Sequence, residues 1–129
     1  MKLTNNFKSE EFACHDGNQV PEAYIPNVKK VAENLQVLRD YLGKPITVNS
    51  GYRSPAYNKR VGGAPKSQHL TASASDIRVP GMTSVQVRAA ILELISQGKM
   101  HNGGLGLYDT FVHYDIRKQP TRWDYRKQK

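Results

Sequence analysis

The segment TFVHYDIR, residues 110–117, alternates apolar and polar side chains and predicts a β-strand with one buried face. Its even-numbered valine, tyrosine and isoleucine share one side, where they can pack on a core. The odd-numbered positions share the other side and include His113 and Asp115, whose Cα atoms are about 7 Å apart in a strand. A strand that presents a histidine and a carboxylate on its non-core face offers groups that bind a metal or transfer a proton.

The other elements predict an α+β chain. Helices are predicted at residues 27–42, from Ser54 to before Gly62, and at 83–96, because apolar residues recur there at helical spacing between capping and terminating residues. Further strands are predicted around residues 46–49, 74–79 and 105–108, with residues 1–26 and 64–73 irregular. We therefore expect helices packed on a small, mainly antiparallel sheet, in a single domain that spans residues 1–129.

Composition excludes several classes of protein. No stretch approaches the roughly 20 apolar residues that span a bilayer, so membrane insertion is not expected. The first residues lack the apolar segment of a secretory signal, so we expect synthesis in the cytoplasm. Cys14 is the only cysteine, which excludes an internal disulfide and a cysteine-rich zinc site.

The chain is basic, with a formal net charge of +8, which favours anionic partners such as nucleic acid or an anionic wall polymer. Residues 117–129 hold six lysines and arginines and a single acid, Asp124. A solvated basic tail is the interpretation that this segment favours, and Trp123 within it is expected to pack against the body of the protein.

His69, Asp76 and His113 are the candidate metal ligands. Asp76 follows seven positions after His69, which is too far for one strand or one helical turn to bring the side chains together, but a loop that turns back into a strand can do so. Two histidines and an aspartate plus water form a common catalytic zinc arrangement. From the spacing alone, surface or hydrogen-bonding roles are the favoured interpretation of these residues, and metal binding is the alternative.

Three ordered motifs carry a resemblance to a known family. They are SGYRSP at residues 50–55, SQH at 67–69 followed by Asp76-Ile77, and GGLGLY at 103–108 leading into FVHYD at 111–115. Together with the opening segment NFKSEEF at residues 6–12, they resemble the short phage and bacterial branch of the M15 peptidases. That branch contains zinc D-Ala-D-Ala carboxypeptidases and peptidoglycan endopeptidases, related in fold to the Hedgehog signalling domain. The resemblance implies that His69, Asp76 and His113 bind Zn²⁺.

The chain departs from the family pattern near these ligands, at Ala72, Ser73, Ser75 and Thr110. Ala72 stands where the family usually has glycine, three residues after the first histidine ligand. Thr110 stands where many relatives have an acid, three residues before the last histidine. In the short branch the acid lies two residues after that histidine, and Asp115 matches it.

The catalytic roles follow from what zinc chemistry requires. A carboxylate must take a proton from water and pass it to the leaving amine, and Asp115 is the predicted carrier because it shares a face with His113. Asp109 is the alternative carrier, and orientation of a histidine ligand is the alternative role for Asp115. Arg53 is predicted to bind the substrate carboxylate or the developing oxyanion.

The predicted function is zinc-dependent hydrolysis of peptidoglycan stem peptides or cross-links by a monomer, as a carboxypeptidase or an endopeptidase. It includes action at the cell wall after release or lysis, for example as a phage lysis enzyme. One alternative is a non-catalytic, zinc-containing module that binds the wall or a protein. A nucleic-acid-binding domain is a further alternative, but only the aromatic residues interleaved with basic ones at 122–126 favour it, and nucleic acid is not the expected partner.

Overall fold

The computed structural model describes residues 1–127 and contains three α-helices and five β-strands. The helices are α1 (Ile25–Leu42), α2 (Pro55–Arg60) and α3 (Ser84–Ser96). The strands are β1 (Thr47–Ser50), β2 (Ala74–Arg78), β3 (Gly104–Leu107), β4 (Val112–Asp115) and β5 (Thr121–Asp124). Short 3₁₀ turns occupy Ser9–Phe12, Glu22–Tyr24 and Gln68–Thr71.

The strands form one sheet in the order β1-β2-β4-β3-β5. The pairs β1–β2, β2–β4 and β3–β4 are antiparallel, whereas β5 pairs with β3 in parallel at the edge of the sheet. The predicted α+β class and the mainly antiparallel sheet are confirmed.

The core lies between one face of the sheet and helices α1 and α3. Each helix turns its apolar stripe inward, and the sheet contributes the alternate residues of its strands, as the period of two requires. The fully buried side chains of this core include Val31, Leu35 and Leu38 of α1, Ile91 and Leu94 of α3, and Ile77, Leu105, Leu107, Val112 and Tyr114 of the sheet. Burial of this face fixes the register of the strands, because a slip by one residue would expose it.

Helix boundaries follow the capping residues closely. The Ser54 hydroxyl accepts a hydrogen bond from Tyr57 N at the start of α2, with Pro55 in the first helical position. Thr83 and Gln86 form a capping box at the start of α3. Helix α1 begins at Ile25 instead of after Asn27, and the Asn27 amide donates to the Thr71 carbonyl oxygen at 3.0 Å.

The prediction of a solvated tail from residue 117 onward is wrong for Thr121–Asp124. Residues Thr121–Asp124 form β5, where Thr121 N donates to the Gly103 carbonyl oxygen and Tyr125 N to that of Leu107. Residues 128 and 129 of the predicted tail lie outside the described residues. Among residues 1–127, no helix combines the length and the apolar character that a bilayer crossing requires.

Candidate metal centre

His69, Asp76 and His113 converge on the face of the sheet opposite the core. One donor atom from each lies within 4.8 Å of the other two, and all three side chains are buried. Asp76 Oδ1 is central, at 3.3 Å from His69 Nε2 and 3.0 Å from His113 Nδ1. The structure therefore brings together the three residues that the sequence analysis selected as ligands.

Strand register places two of these residues side by side. Asp76 on β2 is paired directly with His113 on β4, and directly paired residues point to the same side of a sheet. The same row continues through Gly106 on β3 to Trp123 on β5. The alternation read in residues 110–117 thus puts His113 on the same face as a carboxylate of the neighbouring strand.

His69 reaches the cluster from the 3₁₀ turn that precedes β2. The Ser67 hydroxyl caps this turn by accepting a hydrogen bond from His69 N. Ala72 then reverses the chain into β2 with φ of 57°, a left-handed conformation that costs a residue with a Cβ about 1–2 kcal/mol. Glycine adopts this conformation without that cost, which is a physical reason for the glycine usual at this position, and nothing in the structure explains the alanine.

The stretch from Gly51 to Arg53 fixes the His69 ring. His69 Nδ1 lies 2.6 Å from the Gly51 carbonyl oxygen and must donate its proton to it, because a carbonyl only accepts. Arg53 N donates in turn to the His69 carbonyl oxygen at 2.9 Å. The SGYR motif therefore holds a ligand as well as supplying Arg53, a role that sequence reasoning missed.

A zinc ion fits this donor set. Because Nδ1 bonds to Gly51, His69 Nε2 is the ring nitrogen available to a metal, and it is buried without a hydrogen bond of normal geometry. A buried nitrogen left in that state is costly unless something binds it. Two imidazoles and a carboxylate on one centre are typical zinc ligands, and they leave a fourth position open.

The carboxylate of Asp115 is occupied by protein hydrogen bonds, whereas a general base needs a free oxygen that can reach water. Its side chain is fully buried, and its oxygens accept hydrogen bonds from His113 Nε2 at 2.7 Å, Gly104 N at 2.9 Å and the Arg117 guanidinium. Burial opposes ionisation, but the bonds from His113 and Arg117 outweigh it and hold the pKa of Asp115 below its usual range. These contacts give no support to the predicted proton carrier and fit the alternative role, orientation of His113.

His113 consequently has a carboxylate at each ring nitrogen. Burial alone would lower its pKa, but the hydrogen bonds to Asp115 and Asp76 raise it. Burial likewise opposes ionisation of Asp76, and the two histidines reverse that effect and lower its pKa. The ring is therefore fixed with Nε2 toward Asp115 and Nδ1 toward the cluster, as in a carboxylate–histidine–metal arrangement.

Asp109, the alternative proton carrier, lies elsewhere. It borders a separate depression near the start of α3, together with Ser84 and Arg126, and its Oδ2 accepts a hydrogen bond from Lys127 N. His15 and His101 are also outside the cluster, bonded to the carbonyl oxygens of Asn49 and Arg117.

A cavity of about 770 Å³ opens over the three candidate ligands. Arg53 is at its border, with one guanidinium nitrogen 3.6 Å from Asp76 Oδ2 and another 3.3 Å from the Asn58 side-chain oxygen. Lys66, Arg117 and Arg122 also line it. Among the described residues, Asp76 is the only carboxylate in this lining, so the cavity favours anionic groups.

Strand β5 supplies one wall of this cavity. The Trp123 ring lies beside that of His113, with centroids 5.0 Å apart, and Trp123 Nε1 donates to the Tyr108 hydroxyl at 3.1 Å. Gly106 leaves room for this ring, since a Cβ at that position would lie 2.3 Å from its atoms. Glycines inside a strand pattern are the signal that predicts such a close approach, although they do not indicate its partner.

Comparison with known proteins agrees with this geometry. The family described as Peptidase M15 matches residues 5–115, which is most of the chain and includes all three candidate ligands. The chain belongs to the peptidase M15 family. A zinc D-Ala-D-Ala carboxypeptidase of Streptomyces albus G is 50% identical over 44 residues, which are 33% of this M15 chain and 17% of that relative. The M15 chain thus aligns with less than a fifth of that relative's length, and the α+β fold agrees with the Hedgehog-like fold that the resemblance implied.

Proposed function

We propose that this M15 family member is a zinc-dependent peptidase that cleaves the stem peptides or cross-links of bacterial peptidoglycan. The observation that carries the proposal is the buried His69–Asp76–His113 cluster at the base of an open cavity. The zinc carboxypeptidase of Streptomyces albus G supports the choice of metal and of substrate.

The cavity suits such a substrate. Stem peptides carry several carboxylates, and the cavity borders combine Arg53 and Lys66 with the aromatic side chains of Tyr108, Phe111 and Trp123. Arginine binds carboxylates with two parallel hydrogen bonds, and aromatic rings provide flat apolar contact. The net charge of +8 also favours binding to anionic wall polymers, which supports action at the wall.

The chain's own residues have separate tasks in this proposal. His69, Asp76 and His113 would hold the zinc, which supplies Lewis acidity toward a carbonyl oxygen and a more acidic water when bound. Gly51 and Asp115 keep the two imidazoles in the orientation for metal binding. Arg53 provides a fixed positive charge for a substrate carboxylate or the developing oxyanion.

One observation keeps a non-catalytic module as the second candidate function. Among the described residues, Asp76 is the only carboxylate that lines the cavity, and it is itself a candidate ligand. The lining therefore offers no second carboxylate to act as the general base. Such a module would bind zinc and the wall but would release no product.

The experiment is digestion of purified sacculi by the zinc-loaded protein, with new amino groups measured and mass spectrometry of the products identifying the cleaved bond. We expect release by the wild type, loss with a chelator, and loss in His113→Ala. His15→Ala is the matched control, because His15 lies outside the cluster and is expected to leave activity unchanged. Zinc and wall binding without any release of amino groups would contradict the peptidase and favour the module.

A further inference from the structure

The Tyr108 hydroxyl is a polar group at the cavity with no assigned task. It accepts a hydrogen bond from Trp123 Nε1 at 3.1 Å, and among the described residues it donates to no protein atom. A phenol can accept and donate at once, so the contact with Trp123 leaves the Tyr108 proton available. Because Tyr108 lines the same cavity as His113, its hydroxyl can donate a hydrogen bond to a substrate in that cavity.

The packing around Tyr108 holds its ring in one orientation. Phe111 stacks on one face, with ring centroids 4.4 Å apart and planes only 9° from parallel, and Tyr125 meets the ring edge-on at 5.9 Å. The backbone is fixed as well, since Tyr108 N donates to the Phe111 carbonyl oxygen and the Ser84 hydroxyl donates to that of Tyr108. A donor fixed before the substrate binds requires little reorganisation during the reaction.

The Trp123 ring connects Tyr108 to the metal centre. It lies beside the His113 ring and is covered on another side by Arg117, whose guanidinium carbon is 5.3 Å from the indole centroid. Burial raises the pKa of Tyr108, so the phenol stays protonated at neutral pH. The family match ends at residue 115, so Trp123, which bonds to this hydroxyl, lies on a strand beyond the match, β5.

We propose that Tyr108 is a catalytic hydrogen-bond donor to the oxygen of the scissile carbonyl, and that Trp123 is the residue that positions it. This inference rests on the proposed peptidase function. As water adds to the carbonyl carbon, the electron pair of the C=O double bond moves to oxygen, and Tyr108 donates a hydrogen bond to that oxygen. Its own O–H bond stays intact. When the C–N bond breaks, the amine leaves with the proton that water gave up.

The first test compares kcat and KM of the zinc-loaded wild type and Tyr108→Phe on soluble peptidoglycan fragments prepared with a muramidase. Loss of one oxyanion donor is expected to lower kcat by about 100-fold, with KM changed by less than about threefold. Tyr41→Phe is the matched control, because Tyr41 is an exposed phenol on α1, outside the cavity, and should keep the wild-type kcat. Trp123→Phe keeps a ring but lacks the N–H group, and a smaller loss of kcat at unchanged KM is expected.

The second test needs no zinc and no activity. Trp123 is the only tryptophan in the chain, so the emission spectrum of the metal-free protein reports on it alone. Tyr108→Phe removes the acceptor of the indole proton and is expected to shift this emission, whereas Tyr41→Phe is not.

The outcomes separate this inference from the function on which it rests. A wild type that releases nothing from sacculi or fragments overturns the peptidase and the inference with it. An active wild type with an unchanged kcat in Tyr108→Phe overturns the catalytic role alone. Emission spectra that are the same in wild type and Tyr108→Phe overturn the positioning role of Trp123.

Discussion

His113 is the residue whose surroundings matter most for the metal centre. Its Nδ1 faces the cluster because Asp115 holds Nε2, and Asp115 is itself held by Gly104 N and Arg117. Gly104 permits this arrangement, since a Cβ there would lie 2.2 Å from an Asp115 oxygen. A ligand oriented by a buried carboxylate loses less freedom when it binds a metal.

We expect Asp115→Asn to weaken zinc binding by about 10–100-fold, because the amide no longer fixes the ring through a charged hydrogen bond. Competition with a chromogenic chelator measures the affinity. Asp124→Asn is the control: it removes the carboxylate of a more exposed aspartate–arginine pair with the same spacing, that with Arg126, at a residue outside the candidate ligand set. Equal zinc affinities for Asp115→Asn and the wild type would show that Asp115 does not act through His113.

At the scale of single residues, the sequence indicated the candidate ligands but not the residues that orient them. Residue type, strand alternation and the family motifs all pointed to His69, Asp76 and His113. The role of Asp115 depends on the direction in which its side chain points once the strand is twisted. It also depends on Arg117, which donates to the same carboxylate as His113. No pattern in the sequence reports that shared contact.

Strand β5 is the element that sequence reasoning did not predict. Thr121–Asp124 is a short segment set among basic residues, where Trp123 and Tyr125 alternate with charged side chains, and it pairs in parallel with the edge of β3. The longer elements, α1 and α3, have strong helical periodicity and defined ends, and they lie close to where they were predicted.

Gly106 sets the contact between β5 and the metal centre. Gly106→Ala places a methyl group against the Trp123 ring, and we expect it to lower the free energy of unfolding by about 1–3 kcal/mol. Urea unfolding measures this cost.

A double-mutant cycle tests the cause of that cost. In the Trp123→Ala background the methyl group meets no ring, so Gly106→Ala should cost clearly less, with a coupling of about 0.5–3 kcal/mol. Equal costs in both backgrounds would place the strain elsewhere.

The candidate zinc site depends on the folding of the whole sheet. The three candidate ligands come from the turn before β2, from β2 and from β4, so the site exists only when these elements are assembled. A ligand that binds only the native state adds about 2.7 kcal/mol at a concentration 100 times its Kd. We therefore expect zinc to raise Tm, measured by calorimetry, and a chelator to reverse the rise.

His113→Ala is the control for this stabilisation, because it removes one of the ligands. Its Tm should respond far less to zinc than that of the wild type. A variant that is stabilised as much as the wild type would show that the stabilising zinc binds at another position.

The pairing of β2 with β4 has a consequence for the order of events in folding. Asp76 and His113 are neighbours in the sheet but 37 residues apart in the chain, whereas β3 and β4 are joined by a short turn. Local pairs form readily, and pairs that close long loops form late and slowly. If β2 docks after the rate-limiting step, zinc leaves the refolding rate unchanged and slows unfolding, which stopped-flow measurements with and without metal can show. A newly made chain would then bind its metal last, after the sheet has formed, and the metal would slow the unfolding of that sheet.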